Sequence, residues 1–107
     1  MAHYMIQFAY TAEAHKALTK NPVNRFDALR ELAGKFGGKV LHAFYCFGEY
    51  DGVIVLEAPD NRSASAIALT AISAGHLKSF MTTVLLTAEE TMEAMRLAGA
   101  QSYPAPR

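Results

Sequence analysis

Gly48-Glu49-Tyr50-Asp51 lies between two β-prone runs, Lys39-Val40-Leu41-His42-Ala43-Phe44-Tyr45-Cys46-Phe47 and Gly52-Val53-Ile54-Val55-Leu56-Glu57-Ala58. Two such runs around a short glycine-containing turn predict a β-hairpin. In the first run Leu41, Ala43, Tyr45 and Phe47 share one face, and Val40, His42, Phe44 and Cys46 share the other. Both faces are mostly apolar, whereas a strand with one face in water alternates apolar with polar. Both faces of the sheet are therefore expected to be covered, one by helices and the other by a second subunit.

Outward from the hairpin, each flank reads as strand and helix. His3 to Tyr10 mixes aromatic and β-branched residues and is the expected first strand. Thr11 to Lys20 is alanine-rich and polar, with Thr11 suited to cap a short helix that turns Ala14 and Leu18 inward. From Val23 or Asn24 a helix is signalled by Phe26, Leu29, Leu32, Ala33 and Phe36 at helical spacing, and Gly37-Gly38 ends it. After the hairpin, Pro59 blocks ladder pairing and Asp60 caps a helix with Ala64, Ile67, Ala68, Ala71 and Ile72 on one face, stopped by Gly75.

Leu77 to Thr87 is the expected last strand. Thr87 with Glu90 three residues on reads as a capping box for a final helix, with Met92 and Met95 expected inward. Residues 1–99 thus form one domain, and 100–107, with two prolines, form a tail. Strand, helix, strand, strand, helix, strand is the split βαβ, ferredoxin-like α+β order, with a four-stranded antiparallel sheet and an extra C-terminal helix.

Composition narrows the function classes. The 107 residues suit one domain, and ten basic residues balance ten acidic ones. That balance leaves no electrostatic footprint for nucleic acid or an anionic membrane. Neutrality does not oppose self-association, and 51% hydrophobic residues exceed what a small monomer readily hides, so a homo-oligomer, dimer or higher, is expected. No apolar run approaches the roughly 20 residues of a membrane span, and the first residues lack a signal-peptide pattern, so a cytoplasmic location is expected. The single cysteine, Cys46, excludes an intrachain disulfide and a Cys-based zinc site.

Gly37-Gly38-Lys39, Phe44-Tyr45, Gly48-Glu49-Tyr50-Asp51 and Glu57-Ala58-Pro59-Asp60 together resemble the GYD domain family, small bacterial proteins named for the Gly-x-Tyr-Asp turn. The resemblance covers about residues 3–90. It implies a ferredoxin-like fold assembling as a dimeric α/β barrel, and it implies little about activity. The Met-containing last helix and the proline-containing tail depart from a minimal member.

Candidate chemistry concentrates at the hairpin. Glu49, Tyr50 and Asp51 place carboxylates beside a phenol, suited either to acid–base work in a cavity or simply to building the turn. His42 reads either as a partly buried histidine bonded to a neighbour or as a base or ligand contact, with Tyr45 on the opposite face of its strand. His76 follows Gly75 at the entrance to the last strand. Cys46 reads as a small buried hydrophobe, since His42 on its face lies roughly 13 Å away along the strand. His3, His15, His42 and His76 lack metal-ligand spacing, and no phosphate-binding glycine loop is present, so no metal or cofactor is expected.

Two functions fit these residues. One is a small-molecule-binding oligomer with a pocket at the sheet face or subunit interface, where His42, Tyr45, Glu49, Tyr50, Asp51 and His76 are the ligand-contact candidates. Such a pocket either only binds or does cofactor-free acid–base chemistry of a monooxygenase or isomerase kind, an analogy from fold alone. The other is a non-catalytic structural or regulatory oligomer. Whether anything is turned over, and by which residue, the sequence leaves open.

Overall fold

The computed structural model describes residues 1–106. Eight elements follow in order: β1 (Ala2–Tyr10), α1 (Ala12–Lys20), α2 (Phe26–Lys35), β2 (Lys39–Tyr45), β3 (Gly52–Ala58), α3 (Asn61–Ser73), β4 (Leu77–Leu85) and α4 (Ala88–Gly99). The strands form one sheet in the order β2-β3-β1-β4, every neighbour antiparallel. This is the ferredoxin-like α+β arrangement that the order of strands and helices predicts.

Alternation decides which side of the sheet is the core. Tyr4, Ile6, Phe8 and Tyr10 of β1 and Ile54, Leu56 and Ala58 of β3 are buried on the inner face, against Ala14 of α1, Phe26 of α2 and Ala64 of α3. Tyr4, Leu56 and Ile67 are the largest fully buried side chains. Burial of each such side chain contributes about 1.5–3 kcal/mol, so the inner face supplies most of the fold's stability. The Phe8 ring lies over β3 at Gly52, where any Cβ would collide with it. The glycine after the Gly-x-Tyr-Asp turn is therefore a packing requirement of β1.

Caps fix where the helices start and stop. The Thr11 Oγ1 accepts from the Ala14 N–H at 3.1 Å, and the Asp60 carboxylate from the Ser63 N–H at 2.8 Å. Hydrogen bonds to the charged form hold the Asp60 carboxyl below its ordinary range. Helix α2 begins at Phe26, later than the expected start at Val23 or Asn24; the Phe26 N–H donates to the Asn24 side chain at 3.0 Å, and Arg25 stands at the N-cap without a side-chain cap bond. Gly37, at φ 75°, turns the chain out of α2. Thr87 and Glu90 form the expected reciprocal box, with bonds of 3.1 and 2.9 Å.

Three expectations are corrected. A register shift between Val40 and His42 puts Val40, opposite Leu56, on the same inner face as Ala43 and Tyr45, and leaves His42 and Phe44 outside. Strict alternation had grouped Val40 with His42. Cys46 lies beyond the end of β2 and is exposed, its Sγ–H donating to the Tyr50 carbonyl at 3.2 Å, so it is no core residue. Met92 and Met95 are 51% and 65% exposed, and α4 has no buried residue. That helix projects from the domain rather than packing on it. The Cα radius of gyration is accordingly 17.4 Å, with a longest extent of 57 Å, against about 13 Å for a compact chain of this length.

Candidate functional site

A cavity of about 220 Å³ opens between the inner sheet face and helices α2 and α3. Its floor is Ile6, Phe8, Ile54 and Phe80, and its roof is Phe26, Leu29 and Leu32 of α2 with Ile67 and Ala71 of α3. The void has a cause in sequence. Helix α3 presents mostly alanines to the sheet, and their small side chains do not fill the gap left by the aromatic floor. Polar groups gather at one end, where Tyr10, Arg25, Thr70 and His76 line the opening.

Asp51 organises that end. Its backbone N–H donates to the Phe8 carbonyl at 2.8 Å, and its own carbonyl accepts from the Cys46 N–H at 2.9 Å. Its carboxylate accepts from the Tyr10 N–H at 2.9 Å and meets the His15 Nε2 at 2.9 Å. The pairing of β1 with β3 ends at Phe8 and Gly52, and Asp51 takes up the Tyr10 amide just beyond it. The Asp51 carboxylate thus ties the hairpin to β1 and α1, while its carbonyl closes the turn.

Tyr45 is the second fixed point. Its ring stacks on Phe26 at 4.1 Å between centroids, and its hydroxyl accepts from the Arg25 N–H at 2.9 Å. The start of α2, and with it Arg25, is held over the cavity mouth by this contact. Burial, and then the neighbouring Tyr45 hydroxyl, push the Tyr10 phenol up to about 12, against the lowering pull of the Arg25 guanidinium. Tyr10 is therefore a neutral hydrogen-bonding group throughout the physiological range.

The sequence candidates separate into three places. Tyr45 and Asp51 stand outside the cavity lining and are bonded to two residues that belong to it, Arg25 and Tyr10, and His76 is part of the lining. Glu49 is exposed on the loop and Tyr50 is half-buried beside it, engaged through its carbonyl. His42 stands exposed on the outer face, opposite Val55, with the sheet between it and the cavity. Sequence reasoning missed Tyr10, His15 and Arg25. Tyr10 and His15 are brought to Asp51 across 41 and 36 residues, a separation no local pattern encodes. Arg25 was legible only as one of the polar residues before and along α2.

The arrangement is better suited to holding a molecule than to transforming one. A carboxylate-oriented imidazole is a recognised base, and Asp51 with His15 has that form. The imidazole nevertheless sits half-exposed on α1, outside the cavity lining. Among the described residues no group of three His, Cys, Asp or Glu could hold a metal ion, and no helix is long and apolar enough to cross a membrane.

An apolar cavity under two helices on a four-stranded antiparallel sheet, two of whose strands are joined by a Gly-x-Tyr-Asp hairpin, defines a small α+β domain of ferredoxin-like fold. A family description of the GYD domain matches residues 4–95, and the chain belongs to the GYD domain family. Among curated proteins none matches in sequence. Solved structures share the fold at low identity. The crystal structure of FFRP-DM1 superposes with a TM-score of 0.56 at 16% identity, over 80% of this chain and 100% of that one. MtbAldR superposes at 0.58 and 13% identity, over 80% of this chain, which spans 53% of the MtbAldR length. A protein from Thermus thermophilus gives 0.54 at 16% identity, over 82% of this chain and 96% of that one.

Proposed function

We propose that this domain binds a small, largely apolar molecule in the cavity between the inner sheet face and helices α2 and α3, and does so as a homo-oligomer whose subunits cover the outer sheet face. The cavity itself carries the reading. A packed interior leaves few voids larger than a water molecule, and this one is apolar, open at one end and rimmed there by Tyr10, Arg25, Thr70 and His76. Few convergent polar groups on an apolar wall are the usual makeup of a ligand site. Asp51 and Tyr45 position the rim, His76 contacts the ligand, and His42 faces the second subunit. Glu49 and Tyr50 shape the loop next to Asp51.

Amide and methyl NMR titration with small aromatic and branched aliphatic compounds tests this. The expected result is perturbation at Leu29, Thr70, Ala71 and Phe80, lost in Ala71→Phe, which fills the cavity. Perturbation confined to Phe44 and Met81, or none with any compound, overturns it.

A second reading, a non-catalytic structural oligomer, has its own observation. Phe44 and Met81 on the outer face and Leu86, Met92 and Met95 around α4 are all exposed, the kind of apolar surface that marks an interaction site. A protein that forms a stable oligomer yet leaves the cavity empty of every probe would favour it.

A further inference from the structure

The charge distribution at the cavity mouth narrows the ligand further, and we infer that the site takes a small apolar monoanion, its carboxylate or equivalent group paired with Arg25. This rests on the cavity reading above. Of the described residues lining the cavity, Arg25 alone carries a fixed charge, and no Asp or Glu is among them. Among the described residues no carboxylate pairs with the Arg25 side chain; its backbone N–H is engaged by Tyr45, and its guanidinium is not.

Arginine is the side chain whose fork of donors matches a carboxylate bidentately. Arg25 also stands at the N-terminal end of α2, where the helix dipole favours negative charge. The opposing charge nearby is Asp51, and it is already engaged by the Tyr10 N–H and His15. Tyr10, neutral and able to donate, and His76 stand within the same opening as further partners for an anionic oxygen.

The rest of the cavity sets the body of the ligand. Phe8, Phe26 and Phe80 supply aromatic walls, and the space holds roughly ten non-hydrogen atoms at interior packing density. An arylacetate or a branched short-chain acid has that size. A dianion or a sugar does not suit a wall of phenylalanine and leucine.

Phenylacetate and phenylacetamide, equal in shape and different in charge, are the probes. NMR titration of the full chain is expected to place both at Leu29, Thr70 and Phe80. The acid should bind about tenfold tighter, as a charge-assisted bidentate contact predicts. In Arg25→Gln that preference should vanish while the amide binds as before, and Arg25→Lys should keep part of it. Equal binding of acid and amide to the native cavity overturns the anion assignment and leaves the cavity reading standing. Loss of amide binding in Arg25→Gln also overturns it, because Arg25 would then shape the cavity instead of pairing with charge. Failure of both probes to reach the cavity residues removes the cavity reading and this inference together.

Discussion

On β3, Ile54, Leu56 and Ala58 are buried while Val53, Val55 and Glu57, one residue along in each case, are only half-buried. The same contrast runs through β1, where Tyr4 and Ile6 are buried and His3 and Met5 are not. The two faces of the sheet are both rich in apolar residues, yet only one is closed within the chain. Three helices and an aromatic floor close the inner face and leave a cavity. The outer face carries Phe44 and Met81 in the open. The comparison teaches that apolar character alone does not say which face the chain covers by itself; covalent connection decides that.

The largest effect that sharpens this contrast is a paired truncation on one strand. Leu56→Ala removes a fully buried side chain and is expected to cost about 3 kcal/mol in urea unfolding, within the range for such cavities. Val55→Ala, next to it on the outer face, should cost about 1 kcal/mol or less when the protein is dilute enough to be monomeric. If a second subunit covers that face, the cost of Val55→Ala grows with protein concentration while that of Leu56→Ala does not. Equal costs at every concentration would break the distinction between the faces.

A charge on the outer face probes the same point through assembly. Phe44 is 64% exposed in the single chain, so Phe44→Asp leaves monomer stability within about 0.5 kcal/mol. In an assembly that buries the residue, the unpaired carboxylate weakens association by about 2 kcal/mol or more, at least roughly thirtyfold in Kd. Sedimentation velocity reads the outcome. An unchanged oligomer in Phe44→Asp would place the subunit contact elsewhere, with exposed α4 the next surface to examine.

How much of this was legible follows the range over which each interaction acts. The element order, the caps at Thr11, Asp60 and Thr87, and the stop at Gly37 are contacts within a few residues, and they read directly from sequence. The face of Val40 was misread because a register shift beside Leu41 interrupts strict alternation, and no residue there announces it. Met92 and Met95 have helical spacing, which says that α4 has an apolar side but not which surface meets it. Asp51 and Tyr45 were legible as chemically capable residues. Their partners Tyr10, His15 and Arg25 became visible only when β1, α1 and α2 were assembled around the hairpin. The cavity was hidden for a related reason, since the alanines of α3 read equally well as close packing or as space.

The Tyr10 phenol gives the inner face a pH signature. Its pKa, raised from 10.0 to about 12, means that the unfolded chain ionises first as pH rises. The contribution to stability is whole below pH 10 and is lost progressively from pH 10 towards 12. The full shift would correspond to roughly 2.7 kcal/mol, and screening at the open mouth reduces this to on the order of 1 kcal/mol. In Tyr10→Phe, unfolding free energy measured from about pH 9 to 12 should fall less steeply than in the native chain. Parallel curves would mean that the Tyr10 hydroxyl is as well solvated folded as unfolded.

Two glycines that sequence alone does not distinguish give a further contrast. Gly52 lies under the Phe8 ring, and Gly34, inside α2, has nothing within 4 Å of where a Cβ would stand. Gly34→Ala should therefore stabilise the protein by about 0.5–1 kcal/mol, because alanine restricts the unfolded chain and suits a helix. Gly52→Ala should destabilise by about 1–3 kcal/mol, because either Phe8 leaves the cavity floor or β3 shifts. Melting temperatures of the two variants should move in opposite directions. The NMR signals of the cavity residues should change only in Gly52→Ala. Stabilisation by both substitutions would mean that Phe8 can swing aside freely, and the aromatic floor would then be a gate to the cavity rather than a wall.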